Sequence, residues 1–98
     1  MVEIRQLVWD EWNIGHIKKH KVSADEVEEA VDFEIKTFVS YKDRILVLGR
    51  TKKGRLLTVI LAPEDKQSLM LRNKQRYYVV TARDMSRKEK RLLKNEKS

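Results

Sequence analysis

The stretch RILVLGRTKKGRLLTVILA, residues 44–62, leaves this chain few folds. Two apolar runs flank the short polar loop TKKGR at 51–55, and runs of this length and composition read as strands. A loop this short, with Gly54 supplying a permissive backbone, joins its strands as an antiparallel hairpin. Two more strand-like segments, IKTFVSY (35–41) and RYYVVTAR (76–83), lie on either side. YKDR at 41–44 has the composition of a tight turn, which extends the hairpin into a meander. The intervening PEDKQSLMLRNKQ reads either as a long hairpin loop or, through SLML, as an extension of a strand.

Helical signals bracket this sheet. VEIRQLV at 2–8 alternates loosely as a short strand, and Asp10 then stands as a helix N-cap before WNIGHIKKH. At helical spacing Trp9, Trp12, His16 and His20 share one side, with Ile17 at its edge. Ser23 and Glu26 form an S-x-x-E capping box that opens a second helix. Ala24, Val27, Ala30 and Val31 make its apolar stripe, and its acids make a solvated face. Ser86 and Glu89 repeat the box in SRKE and open a basic helix to about Asn95, docked through Leu92 and Leu93. The expected order is strand, two helices, a four-stranded antiparallel meander and a terminal helix. That is an α+β architecture in one domain spanning 1–98.

Charge divides the chain. Residues 1–48 hold seven Lys/Arg against ten Asp/Glu, and residues 49–98 hold fifteen against five, which gives the net +7. A basic half attracts polyanions, nucleic acid foremost, while the acidic half argues against nonspecific coating of DNA. No cysteine is present, which excludes disulfides and thiolate sites. Acids near the N-terminus do not suit a signal peptide, and LLTVILA is too short to span a bilayer. The expectation is a soluble cytoplasmic protein with no membrane partner.

Three clusters are candidates for chemistry. Arg83 ends a strand three residues before a capped helix, whose free N–H groups favour anions. It either clamps a phosphate with two donors or pairs with Asp84 or Glu89. Arg50, Lys52, Lys53 and Arg55 crowd the central hairpin, with Arg76 placed to join them and Arg87 and Lys88 adding charge from the last helix. These cations either bind RNA or blunt a sheet edge. His16 and His20 have i, i+4 spacing, but no embedded Glu and no third ligand, so a metal site is not expected. They serve either as a general acid or base or in packing, His16 against Trp9 and Trp12 and His20 at the helix end. Tyr77 and Tyr78 point to opposite faces, one to the core and one free to stack on a base.

The sequence offers no Gly-rich phosphate loop and no acidic cluster for Mg²⁺, so phosphodiester chemistry here would run without a metal and with no cofactor. RNA supplies its own nucleophile, the 2′-OH. The protein need only move protons and neutralise the charge that builds on the phosphate.

In order along the chain, WDEWNIGHIKKHKVSADEVEEAV, ILVLGRTKKGRLLTVIL and YYVVTARDMSRKEKR resemble the signature segments of the BrnT-like toxin family. The resemblance covers nearly the whole chain. It implies a fold related to RelE-type ribonucleases and the toxin half of a type II toxin–antitoxin pair. It further implies a metal-independent endoribonuclease that stops translation, held in a hetero-oligomer by a small ribbon-helix-helix antitoxin, with the ribosome as a further partner. Carried over by motif, the positions at stake are His20, Arg50, Arg55 and Arg83. Two positions depart from the pattern. Lys21 stands where many relatives keep Gly, and Leu92 and Leu93 stand where many keep a Tyr near the end of the last helix.

Overall fold

The computed structural model describes residues 6–63 and 76–95. Their order is β1 (Gln6–Val8), α1 (Glu11–Lys18), α2 (Ala24–Asp32), β2 (Glu34–Val39), β3 (Ile45–Arg50), β4 (Leu56–Pro63), β5 (Arg76–Asp84) and α3 (Arg87–Asn95). The fold is α+β, with three helices on one five-stranded sheet ordered β1-β5-β4-β3-β2. The meander is antiparallel, as its turns require, but β1 pairs parallel with β5, so the sheet is mixed. Most of the ambiguous segment at 63–75, and the start of the expected first strand, lie outside the described residues. Among the described residues, no helix is long and apolar enough to cross a membrane.

Turn chemistry matches the sequence closely. The β2–β3 loop spans residues 41–43, closed by the Ser40 N–H donating to the Arg44 carbonyl, and Lys42 and Asp43 both take left-handed backbone in it, at φ 59° and 62°. In the next hairpin the Gly54 N–H donates to the Thr51 carbonyl at 2.9 Å, with Gly54 at φ +90°. That is a three-residue loop closed by a left-handed glycine.

The register divides the sheet into two faces. Gly49, Leu57 and Asp84 align on one, as do Val47, Val59 and Ala82. Helices α1 and α2 cover this face, and the core gathers there: Leu7, Ile17, Val27, Ala30, Val47, Leu57, Val59, Tyr77 and Val79 are all buried. Gly49 sits under α2 so closely that a Cβ would lie 1.9 Å from the Ala30 carbonyl oxygen. The opposite face, open in that α1 and α2 leave it uncovered, carries Leu48 and Thr58, both fully buried, and Arg83 in one row, with Arg50 one step further along β3. An irregularity between Ile60 and Leu61 leaves Val80 as the extra residue on β5 and restores the alternation on each side of it.

Two buried residues fix the orientation of the first helix. Asn13 and Ile17 face the core, while Trp12 is 83% exposed and His16 and His20 face solvent. The shared Trp12–His16–His20 side is therefore the outer side. Asn13 takes the inner position because both ends of its amide find partners. Its Nδ2 donates to the Val8 carbonyl at 2.9 Å and its Oδ1 accepts from the Asp10 N–H at 2.9 Å. A buried amide with both ends satisfied carries little penalty. Trp9 remains half-buried against the core and its indole N–H donates to Glu28.

Helix α1 stops through local backbone bonds. The Val22 N–H donates to the Ile17 carbonyl and the Lys21 N–H to the Lys18 carbonyl, with Lys21 at φ 59°. This termination favours glycine at the left-handed position. Here the position is taken by Lys21.

Candidate functional site

Antiparallel pairing brings the end of β3, the start of β4 and the end of β5 to one end of the sheet, where α3 also begins. Arg50, Lys52, Lys53, Arg55, Arg83, Arg87 and Lys88 all belong to this end. Arg76 does not. It starts β5, about 23 Å from Arg83 along the strand, because β5 runs antiparallel to β4. The expectation that Arg76 joins the hairpin patch is thereby corrected.

The arginines then divide by face. Arg83 rises from the open face into the first turn of α3. Its Nη1 and Nη2 donate to the two carboxylate oxygens of Glu89 at 2.8 and 2.9 Å, and Nη1 also reaches the Asp84 carbonyl at 3.2 Å. Glu89 further accepts from the Thr58 hydroxyl at 2.9 Å and the Ser86 N–H at 2.7 Å, while its own N–H donates to Ser86 Oγ. The predicted capping box is present, and the same Glu is the hub of the site. Arg83, despite opposing burial, holds the Glu89 carboxyl down at about 2, with the Ser86 and Thr58 hydrogen bonds helping. In return, the hydrogen bonds to Glu89 raise the Arg83 pKa against the effect of desolvation. Of the two readings for Arg83, the structure contains the ion pair.

Arg55 turns to the helix face. Its Nε donates to Asp84 at 2.8 Å, and its Nη1 donates to Glu26 on α2 at 3.0 Å and to the Lys21 carbonyl at 2.8 Å. Asp84 has its pKa lowered, chiefly by the Arg55 hydrogen bond. Burial pushes Glu26 up, but its bonds from Ser23 and Arg55 outweigh that and lower it. Arg55 thus ties the hairpin, β5, α2 and the end of α1 together. Sequence analysis grouped Arg55 with Arg50 in the cationic hairpin. The two are near neighbours in the hairpin, with Arg50 opposite Leu56, but Arg55 binds on the other side of the sheet. Its partners lie 29 to 34 residues away in sequence, too far for spacing to announce them.

Arg50 is exposed on the open face, and no side-chain hydrogen bond or ion pair engages it among the described residues. Sheet geometry sets its Cα about 12 Å from that of Arg83, two strands across and two residues along. Lys52 and Lys53 are exposed at the loop tip, and Arg87 and Lys88 are exposed on the first turn of α3. His20 lies in the exposed turn after α1, on the helix side of the sheet. The structure brings Arg50 and Arg83 to one face and leaves His20 and Arg55 on the other. The His16 and His20 rings stand 5.6 Å apart, and no third His, Asp or Glu completes a metal-binding group among the described residues.

Tyr77 is buried in the core and Tyr78 is half-buried on the open face, its hydroxyl donating to Asp10 at 3.0 Å. Two contributors escaped sequence reasoning. Thr58 looks like any strand residue until its cross-strand partner is known. Phe33 looks like the end of an apolar stripe, yet it is 52% exposed. With Ile35, Arg50, Thr51 and Lys52 it lines a surface cleft of about 420 Å³. Comparison with family models, with curated proteins and with solved structures finds no match to this chain.

Proposed function

We propose that this chain is a metal-independent endoribonuclease, the toxin half of a type II toxin–antitoxin pair, acting on RNA in the cytoplasm. The observation that carries this reading is the meeting of Arg50 and Arg83 on the open face, at the cationic end of the sheet. The ordered resemblance to BrnT-like toxins supports it, and kinship with RelE-type ribonucleases belongs to the same proposal. In the reaction the RNA 2′-oxygen attacks the adjacent phosphorus as its proton passes to water, a 2′,3′-cyclic phosphate forms, and the P–O5′ bond breaks with the departing 5′-oxygen taking a proton from water. Guanidinium groups set beside that phosphate stabilise the charge that develops on its oxygens. Arg83 and Arg50 take this part. Arg55 is a structural residue, and His20 is dropped from the site because it lies on the helix side. A ribbon-helix-helix antitoxin and the ribosome remain partners of this proposal.

A specific observation favours a second reading, a non-catalytic RNA-binding module. Glu89 already occupies both terminal nitrogens of Arg83, so a phosphate must share or displace it. Inducible expression of wild type and Arg83→Ala, with total RNA extracted from both cultures, separates the two. The nuclease reading expects growth arrest and fragmented RNA in the wild type alone, with both proteins folded by circular dichroism. Intact RNA and normal growth with folded wild-type protein would refute it. Salt-sensitive RNA binding by that protein would leave the binding module standing.

A further inference from the structure

We infer that the cleft beside Phe33 and Arg50 is a nucleotide subsite, in which an unpaired RNA base stacks on the Phe33 ring and its phosphate meets the Arg50 guanidinium. The inference rests on the RNA reading above, in either its catalytic or its non-catalytic form. The two side chains spring from backbone already joined, since the Arg50 N–H donates to the Phe33 carbonyl at 3.3 Å. Phe33 ends α2 as its C-cap directly before Glu34, whose pairing with Gly49 sets Phe33 beside Arg50 at the edge of the sheet. The ring is 52% exposed and Ile35 beside it is 39% exposed, which leaves an apolar wall open to solvent. Lys52 adds a second cation to the same cleft of about 420 Å³.

An exposed Phe alone means nothing. Here it lies beside the one arginine of the three that no described side chain engages. A flat ring next to a guanidinium matches the chemistry of a nucleotide, which has a π-face and a phosphate. Arg50 and Arg83 share one face of the sheet, so a single RNA strand can reach both. Bases in a duplex are already stacked on each other, so the subsite selects single-stranded RNA.

Fluorescence anisotropy tests this with a labelled ten-nucleotide single-stranded RNA, an abasic oligomer of the same length and a duplex of the same sequence. Phe33→Ala and Phe33→Leu are expected to weaken binding of the base-bearing single strand by about 5- to 100-fold, with the abasic oligomer unchanged. Phe33→Trp keeps or tightens binding. Arg50→Ala weakens both single strands and lowers the salt slope by about 0.7 for each phosphate left without its cation. Phe33→Leu keeps apolar bulk, so weaker binding there traces to the ring. The inference is overturned if both Phe33 variants stay within twofold of wild type, or if they weaken the abasic oligomer equally. Unchanged RNA affinity alongside lost binding of a ten-residue peptide alternating Glu and Val would assign the cleft to a protein partner instead. Phe33-dependent binding without any cleavage supports the subsite and ends only the nuclease reading. A folded wild type that binds none of the three oligomers ends both.

Discussion

Glu89→Gln removes one charge and nearly preserves the shape of the group that holds Arg83, Thr58 and the start of α3. The folded carboxyl sits at about 2, against an ordinary 4.5. At about 1.4 kcal/mol per pKa unit, that gap sets a ceiling of about 3 kcal/mol. Solvent reduces it, because the Arg83 side chain is 37% exposed although that of Glu89 is only 12% exposed. We expect about 1–2 kcal/mol to survive at neutral pH. The folded pKa is depressed, so the stabilisation is complete above 4.5 and is lost as pH falls through the interval down to about 2. Urea unfolding of wild type and variant at a series of pH values between neutral and about pH 2 measures it. The wild type should lead at neutral pH, and the lead should shrink across that acidic window. A gap of the same size at both ends would refute the reasoning, since it would trace the loss to altered packing or hydrogen bonding and not to ionisation. The same variant bears on the site. If Glu89 competes with phosphate for Arg83, Glu89→Gln tightens RNA binding at neutral pH.

Two further substitutions probe the frame around the site. Gly49→Ala places a methyl group 1.9 Å from the Ala30 carbonyl oxygen, so α2 must lift by more than an ångström from β3. We expect a loss of about 3 kcal/mol, read as a fall in Tm of roughly 12 °C or more, and a fall of under about 3 °C would contradict the close packing. Arg55→Ala strands Asp84 and Glu26 without their shared cation and is expected to cost about 1–2 kcal/mol in urea unfolding. Arg55→Lys should recover little, because a lysine cannot reproduce the forked hydrogen bonds, and full recovery would argue against them.

What the sequence determined by itself is the set of local structures. Asp10, Ser23 and Ser86 cap helices, and Lys42-Asp43 and Gly54 turn the chain where composition places the turns. Each of these signals acts over three or four residues, within reach of sequence inspection. Strand alternation likewise announced that Tyr77 and Tyr78 face opposite ways. The clustering of cations at the hairpin and the last helix was legible too, because charge is counted residue by residue.

Only the tertiary structure decided which face each group occupies and what it touches. The orientation of α1 stays open in the sequence because its apolar residues are sparse, and the deciding interaction is an Asn13 amide satisfied by Val8 and Asp10. Arg55 looked as functional as Arg50 until Asp84 and Glu26 engaged it, and Arg76 looked adjacent until strand direction carried it to the far end. Phe33 and Arg50 share a cleft only because the β2–β3 register brings them together. Capping and turn formation are governed by neighbours along the chain. The division of these arginines between the two faces is governed by partners up to 34 residues away, and those partners meet only once the sheet and helices have packed.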